Sequence, residues 1–188
     1  MSTTEITASP TSLPAGTYRL DPVHSSAGFA VKHMVVATFR GRFDDFDATL
    51  TVDDAGHPSL SGTVQVGSIE VKDENLKAHL GSPDFFDLER YPEIRFEASE
   101  IEIGPEGELK IAGDLTIKGQ THRVESTGTI SGPAETFGDV TKIGLTLETV
   151  VDRTQYGLNW NAPLPKGGVA LANDVKLTVE LELAREEA

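Results

Sequence analysis

The chain has 188 residues, enough for one domain with its own hydrophobic core, and its lack of cysteine excludes disulfides, thiolate metal sites and cysteine nucleophiles. Its 30 acidic residues outnumber 16 basic ones, and the resulting net charge of −14 argues against a nucleic-acid-binding protein and opposes anionic membranes at long range. Because no apolar run approaches the roughly 18 residues that span a bilayer, we expect no stable membrane insertion and a neutral or apolar partner.

The N-terminal residues 1–15 are rich in Ser, Thr and Pro and predict a flexible tail, which leaves residues 16–188 as one folded domain. They lack the basic region followed by an apolar region that marks a secretory signal. We therefore expect a cytoplasmic location.

Short segments of alternating apolar and polar residues follow one another from Gly16 onward. The clearest covers residues 175–183, where five aliphatic side chains alternate with polar or charged ones. Such alternation places one face of a β-strand in the core and the other in water. Residues 46–52, 109–117 and 143–147 repeat the pattern, and turn-forming residues separate these segments. Roughly eight or nine strands of this kind predict an all-β sandwich or barrel.

Two interruptions in this alternation predict bends in the strands. The apolar residues of 64–66 and 69–71 have opposite parity, with a Gly-Ser pair between them. A β-bulge there would keep both pairs facing the same interior and would curve the sheet, as closing a barrel requires. Phe43 and Phe46 flank two Asp residues in the same way.

Residues 73–80 differ from the rest of the chain because they contain few β-branched side chains. Leu76 and Leu80 lie four residues apart, which predicts a short helix with Asp73 as its N-cap and Gly81 at its end. Residues 82–87 follow as a tight connection that carries two adjacent aromatic side chains.

The histidines and glycines carry no recognisable catalytic or metal-binding motif. His24 and His33 are nine residues apart, an odd separation that would place them on opposite faces of one strand. No His-x-His or Glu-x-x-His pair, no nucleophile elbow and no phosphate-binding glycine motif occurs. We therefore expect no metal, no cofactor and no catalytic residue, with His24 either bonded to a loop or touching a ligand head group.

The phenylalanines are concentrated in the first half of the chain, and five of them lie on or beside predicted strands. As a set they are either ordinary core or the lining of an apolar cavity. An eight-stranded barrel can fill its interior with side chains or hold one small ligand, and the pattern alone does not decide between these. The seven residues concerned are Phe29, Phe39, Phe43, Phe46, Phe85, Phe86 and Phe96.

Several motifs, in order and at similar spacings, resemble the YceI-like family over about residues 16–183. The most distinctive is Leu-Gly-Ser-Pro-Asp-Phe-Phe-Asp at 80–87. The others are Asp-Pro-Val-His-Ser at 21–25, Phe-Ala-Val-Lys-His at 29–33, Gly-Arg-Phe at 41–43 with Phe46, Tyr-Pro-Glu-Ile-Arg-Phe at 91–96, Leu-Lys-Ile-Ala-Gly at 109–113 and Asp-Arg-Thr-Gln-Tyr-Gly-Leu-Asn-Trp at 152–160.

This resemblance implies an all-β fold, an antiparallel eight-stranded lipocalin-like barrel with one or two short helices. It implies non-catalytic binding, transport or sequestration of a long-chain amphiphile, such as a polyisoprenoid, an isoprenoid quinone or a fatty amide. It also implies a set of residues near the ligand. These are Phe29, Val31, Phe43, Phe46, Leu80, Phe85, Phe86, Phe96 and Trp160 on the wall, with His24, His33 and Arg153 as candidate polar contacts.

Two of these side chains have alternative interpretations. Arg153 is either a buried partner of a carboxylate, such as Asp152 or Asp84, or a clamp for a phosphate group. Trp160 either lines the barrel mouth or plugs its floor, since its ring has an apolar body and a polar edge.

Alternatives to the lipid-carrier function also remain open. The first is an isomerase-like or cyclase-like enzyme for a hydrophobic substrate, with His24 or His33 as acid and base. The second is a filled barrel that serves only in protein interactions. An edge strand left unpaired would allow a homodimer. Because many YceI-like proteins are exported, a periplasmic or secreted location is the alternative to the cytoplasm.

Overall fold

The computed structural model describes residues 12–187, and within them the chain forms eleven β-strands and one α-helix. In chain order these are β1 (Gly16–Leu20), β2 (Ser26–His33), β3 (Ala37–Phe43), β4 (Phe46–Val52), β5 (Pro58–Gln65), β6 (Ile69–Glu70), α1 (Glu74–Gly81), β7 (Glu93–Ile103), β8 (Glu108–Ile117), β9 (Gln120–Glu135), β10 (Thr141–Asp152) and β11 (Leu171–Arg185). Short 3-10 helices cover Pro22–His24, Val66–Ser68 and Arg153–Tyr156.

The eleven strands make one closed barrel of eight, because three pairs of short strands each continue one another. β1 and β2 both pair with β11. Next to them, β4 pairs with β1 and β3 pairs with β2. In the same way β5 pairs with β4, and β6 pairs with β3. β5 then pairs with β7, and β7 to β11 pair in chain order. All pairings are antiparallel, so the predicted eight-stranded barrel is confirmed.

The two predicted bends fall where the paired strands are interrupted. Phe43 ends β3 and Phe46 begins β4, and both contact the interior although they are three residues apart. Between β5 and β6 the chain makes a 3-10 helix, and Val66 and Ile69 on either side of the Gly-Ser pair are both buried. A 3-10 helix, in place of the predicted β-bulge, therefore keeps the apolar residues on both sides of the Gly-Ser pair facing the interior.

The predicted helix is α1, which connects β6 to β7 across one end of the barrel. The side chain of Asp73 accepts a hydrogen bond from the backbone N–H of Leu76 at 2.8 Å, as expected of an N-cap. Leu80 is buried, and the helix ends at Gly81. No helix among residues 12–187 has the length and apolar character needed to cross a membrane.

The barrel interior has two hydrophobic clusters, one at each end. The cluster far from α1 is tightly filled, and Tyr18, Leu109 and Leu183 are almost completely buried there. Leu13, within the predicted tail, packs into this cluster, and the hydroxyl of Tyr18 donates to the backbone oxygen of Pro14 at 2.9 Å. Residues 1–11 of the predicted tail lie outside the described residues. The second cluster lies beneath α1 and surrounds the site.

Candidate functional site

An apolar cavity of 470 Å³ occupies the half of the barrel beneath α1. Its walls include the inward-facing positions at the starts of β7, β9 and β11 and at the ends of β8 and β10, where alternation directs aliphatic side chains inward. The volume falls within the roughly 300–1,000 Å³ typical of small-molecule sites. The interior is therefore filled with side chains in one half and hollow in the other.

The filled cluster forms the floor of the cavity. Leu60, Leu147 and Leu181 belong to that cluster and also line the void, so they mark where packing ends and open space begins. The tight packing beyond them leaves the end near β1 closed.

Aromatic side chains close the opposite end. His79 on α1 packs against both Phe85 and Trp160, and its ring centroid is 5.0 Å from each, in edge-to-face geometry. Phe85 and Trp160 are themselves 5.5 Å apart. Edge-to-face rings hold one another in a fixed arrangement, so these three residues form a packed lid. Trp160 is thus part of the lid and does not plug the floor.

A second row of rings lines the wall made by β2 and β3. Phe29 lies 6.1 Å from Phe39 and 5.8 Å from Phe43, measured between ring centroids. Phe43 in turn meets the edge of Phe86 at 6.2 Å, which links the wall to the segment after α1. The concentration of phenylalanine in the first half of the sequence thus corresponds to one side of the cavity.

The structure brings eleven of the twelve predicted site residues to the cavity wall. These are Phe29, Val31, His33, Phe43, Phe46, Leu80, Phe85, Phe86, Phe96, Arg153 and Trp160. Whether each contacts a ligand stays a prediction.

His24 is the exception, because it lies on an exposed 3-10 helix between β1 and β2. Its Nδ1 is 3.0 Å from Oδ2 of Asp21 and 3.7 Å from Oε1 of Glu182. The hydrogen bond from His24, assisted by Lys142, lowers the pKa of Asp21 to about 2. His24 and His33 are therefore not assembled as an acid–base pair in the cavity.

Asp21, His24 and Glu182 also have the mutual spacing of metal ligands. Lys142 lies among them, however, with its ammonium 3.3 Å from Asp21 and 2.5 Å from Glu182. That ammonium offsets one of the two negative charges of Asp21 and Glu182 and already bonds the carboxylate oxygens that would bind a metal ion.

Arg153 is a buried cation at the lid end of the cavity. Its Nε donates to the backbone oxygen of Ala172 at 2.9 Å, and its Nη1 donates to those of Leu158 at 2.5 Å and Trp160 at 2.9 Å. Burial lowers the pKa of Arg153, because desolvation disfavours the charged form. Its Nη2 is buried and has no hydrogen-bond partner among residues 12–187.

The two carboxylates considered as partners of Arg153 are engaged elsewhere. Asp152 accepts hydrogen bonds from the hydroxyl and the N–H of Thr154, at 2.6 and 2.9 Å, and these bonds lower its pKa. Oδ2 of Asp84 lies 3.3 Å from Nε2 of His79. The expected carboxylate pairing of Arg153 is thus replaced by hydrogen bonds to carbonyl oxygens.

Several residues at the cavity were not singled out from the sequence. His79 lies three residues after Leu76, a spacing that puts both side chains on one face of the predicted helix, and this spacing was the available signal. Ser126 is a buried polar residue on β9, between inward-facing Val124 and Gly128. Tyr156 is almost fully buried at the end of the 3-10 helix Arg153–Tyr156, where no strand alternation marks it, and burial raises its pKa.

Comparison with known proteins agrees with this geometry. Residues 18–183 match the model of the YceI-like domain. The chain belongs to the YceI-like domain family. A UPF0312 protein of Staphylococcus aureus strain N315 is 35% identical over 176 residues, covering 90% of this chain and 98% of the relative.

Solved structures share the fold of this YceI-like domain. BcnA of Burkholderia cenocepacia superposes with a TM-score of 0.73 at 22% identity, covering 87% of this chain and 98% of BcnA. A polyisoprenoid binding domain from Saccharophagus degradans, implicated in plant cell wall breakdown, has a TM-score of 0.67 at 11% identity, covering 90% of this chain and 98% of that domain. At these identities the likeness establishes the barrel architecture.

Proposed function

We propose that this YceI-like domain binds one long-chain amphiphile in its barrel, without catalysis, and carries or sequesters it. The observation that carries the proposal is the 470 Å³ cavity with aliphatic and phenyl walls, a filled floor and aromatic side chains at the opposite end. Burying about ten methylene groups contributes roughly 8 kcal/mol before the costs of association. An alkyl or prenyl chain is the ligand that such a wall favours.

Arg153 supports a ligand with a polar head rather than a pure hydrocarbon. Its Nη2 lacks a partner among the described residues, and a buried donor without an acceptor costs free energy. A carbonyl, hydroxyl or phosphate oxygen at that end of the cavity would supply the acceptor. A polyisoprenoid with an oxygen-bearing head, an isoprenoid quinone and a fatty amide all meet this requirement, and the structural neighbour named as polyisoprenoid binding favours the first.

Binding has more support than catalysis on the same scaffold. Of the two histidines considered for acid–base chemistry, only His33 reaches the cavity, while His24 lies on the surface among charged groups. Proton transfer at two points of a substrate needs both groups within hydrogen-bond reach of it. The cavity wall offers instead a large apolar area, which suits retention of a chain.

Native mass spectrometry of the protein purified from its own host tests this proposal. We expect a stoichiometric lipid adduct on the wild type and its loss in Ser126→Phe, whose ring would fill the void. Thr127→Phe is the matched control, because Thr127 is the next residue of β9 and is exposed. Thermal unfolding of both variants checks that they remain folded. An empty wild type, or an adduct that survives in Ser126→Phe, would contradict the proposal.

A further inference from the structure

The turn between β2 and β3 exposes three apolar residues in a row. Val36 is 87% exposed, Val35 73% and Met34 40%. The backbone N–H of Met34 donates to the backbone oxygen of Ala170 at 2.7 Å, which ties this hairpin tip, residues 34–36, to the residue that directly follows the neighbouring loop of residues 163–169. Val169 at the end of that loop is 46% exposed. Together they form one apolar surface patch.

The backbone of the tip is unfavourable for the residues that occupy it. Met34 and Val35 have φ angles of 50° and 67°, in the left-handed region. Two-residue sites of this conformation normally carry Asn, Asp or Gly, and a β-branched residue there is an outlier. An exposed valine in a strained backbone conformation does not stabilise the folded state, so its presence at this position points to a role in binding.

The two segments that contain the tip and its neighbouring loop carry a net positive charge, opposite in sign to that of the whole chain. Residues 26–43 and 160–172 contain no Asp or Glu, although the chain has 30 acidic residues. Lys32, Arg40 and Lys166 are exposed there, and none forms an ion pair with another residue in the part of the chain that the structure describes. At physiological salt the Debye length is about 8 Å, so charges farther away are largely screened. A surface in contact with the tip therefore interacts mainly with these nearby cations and less with the acidic residues elsewhere on the chain.

The tip also lies at the rim of the cavity. His33, the residue before the tip, lines the cavity and pairs with Leu171, which lines it too. Trp160 of the lid stands at the start of the same acid-free segment, residues 160–172. A surface that covers the tip therefore comes close to the cavity rim.

We propose that the hairpin tip and the 163–169 loop dock on an anionic phospholipid membrane, with the valine side chains entering the head-group layer and the three cations facing lipid phosphates. Apolar side chains flanked by Lys and Arg are the combination that binds such an interface. Docking holds the cavity rim against the membrane, where an amphiphile can pass between bilayer and barrel with little exposure to water. This docking is independent of which ligand the cavity holds.

Flotation with vesicles of equal parts phosphatidylcholine and phosphatidylglycerol tests the proposal. We expect the wild type to float with these vesicles and Val36→Asp to lose about tenfold or more in partitioning, because a valine that enters the head-group layer is replaced by a charge. Val150→Asp is the matched control, since Val150 is 61% exposed on the outer face of β10, and it should partition like the wild type. Lys166→Glu should weaken binding, whereas Lys110→Glu, the same charge change on β8 and outside the acid-free segments, should not.

The outcomes separate this proposal from the proposed function. Lipid adducts in native mass spectrometry report the cavity, and flotation reports the tip, so either can fail alone. A wild type that stays out of the vesicle fraction would overturn the membrane proposal and leave the tip as a surface for a protein partner. Equal losses in Val36→Asp and Val150→Asp would overturn it as well, because the position would then not matter.

Discussion

Arg153 donates through Nη1 to the backbone oxygen of Trp160 at 2.9 Å, so a buried cation holds the segment that supplies the lid of the cavity. The same guanidinium bonds the carbonyl oxygens of Leu158 and Ala172, which places three chain positions around one side chain. The fixed fork of a guanidinium suits this arrangement, because its donors point in several directions at once. Arg153 is therefore expected to order the lid whether or not a ligand is bound.

Arg153→Lys separates this hydrogen-bonding role from the positive charge. A lysine ammonium is a compact donor group that cannot reach all three carbonyl oxygens, so we expect unfolding free energy to fall by about 2–4 kcal/mol. Urea denaturation measures the change. Arg40→Lys, at an exposed position, should stay within about 0.5 kcal/mol of the wild type. Equal midpoints for both variants would show that the lid does not depend on the guanidinium.

Phe86→Asp should impair lipid retention more than folding. Phe86 is half-buried and meets Phe43 edge-on at the cavity wall, so a carboxylate there adds a charge to the ligand surface while disturbing little of the filled core. We expect a loss of about 1–2 kcal/mol in unfolding free energy and the disappearance of the lipid adduct. Urea denaturation and native mass spectrometry measure the two effects.

Phe85→Asp is the contrasting variant for this test. Phe85 is buried and packs against His79 and Trp160, so its replacement should cost more than about 3 kcal/mol. Equal stability losses at the two positions would make Phe86 ordinary core.

The wall of the barrel could be predicted from the sequence because strand alternation is a local property. Leu109, Ile111, Leu115 and Ile117 were predicted on one face of a strand, and all four are buried inside the barrel. The choice between a filled interior and a cavity could not be predicted in the same way. It depends on the distance across the barrel, which strand number and tilt set, and inward-facing leucines look alike in both cases.

The side chains outside regular strands were the least predictable. His24 was placed near the ligand by resemblance, but Pro22–His24 forms a 3-10 helix capped by Asp21, and this break turns the imidazole to the surface. Arg153 was expected to pair with a carboxylate or a phosphate. Its carbonyl partners come from residues 158–172, and no periodic pattern links those residues to position 153.

Asp21 should make stability depend on pH in the acid range. Its pKa falls from an ordinary value of 3.8 to about 2, first because of the hydrogen bond from His24. A carboxyl whose pKa is lowered by folding stabilises the native state above its unfolded pKa and loses that contribution as pH falls through the folded value. We therefore expect part of the acid-induced loss between pH 3.8 and about 2 to come from this residue.

Asp21→Asn measures that part, since asparagine keeps the capping oxygen and removes the charge. Urea midpoints of the variant should decline less steeply than those of the wild type across the same pH interval. Asp54→Asn, in an exposed turn, is the control and should follow the wild type. Parallel curves for the wild type and Asp21→Asn would show that the ion cluster contributes nothing to acid sensitivity.

Val35→Gly should raise stability while weakening the association with vesicles. Relief of a left-handed valine is worth about 1–2 kcal/mol, and the added flexibility of glycine in the unfolded chain costs about 0.5–1 kcal/mol, so a net gain of up to about 1.5 kcal/mol is expected. Val36→Gly is the matched control, because Val36 has no positive φ and glycine there relieves no strain. Both variants should float less well with anionic vesicles, but only Val35→Gly should unfold at higher urea. A Val35→Gly variant that is less stable than the wild type would mean that valine itself stabilises the turn, and the strain could then no longer support a role for the tip in binding.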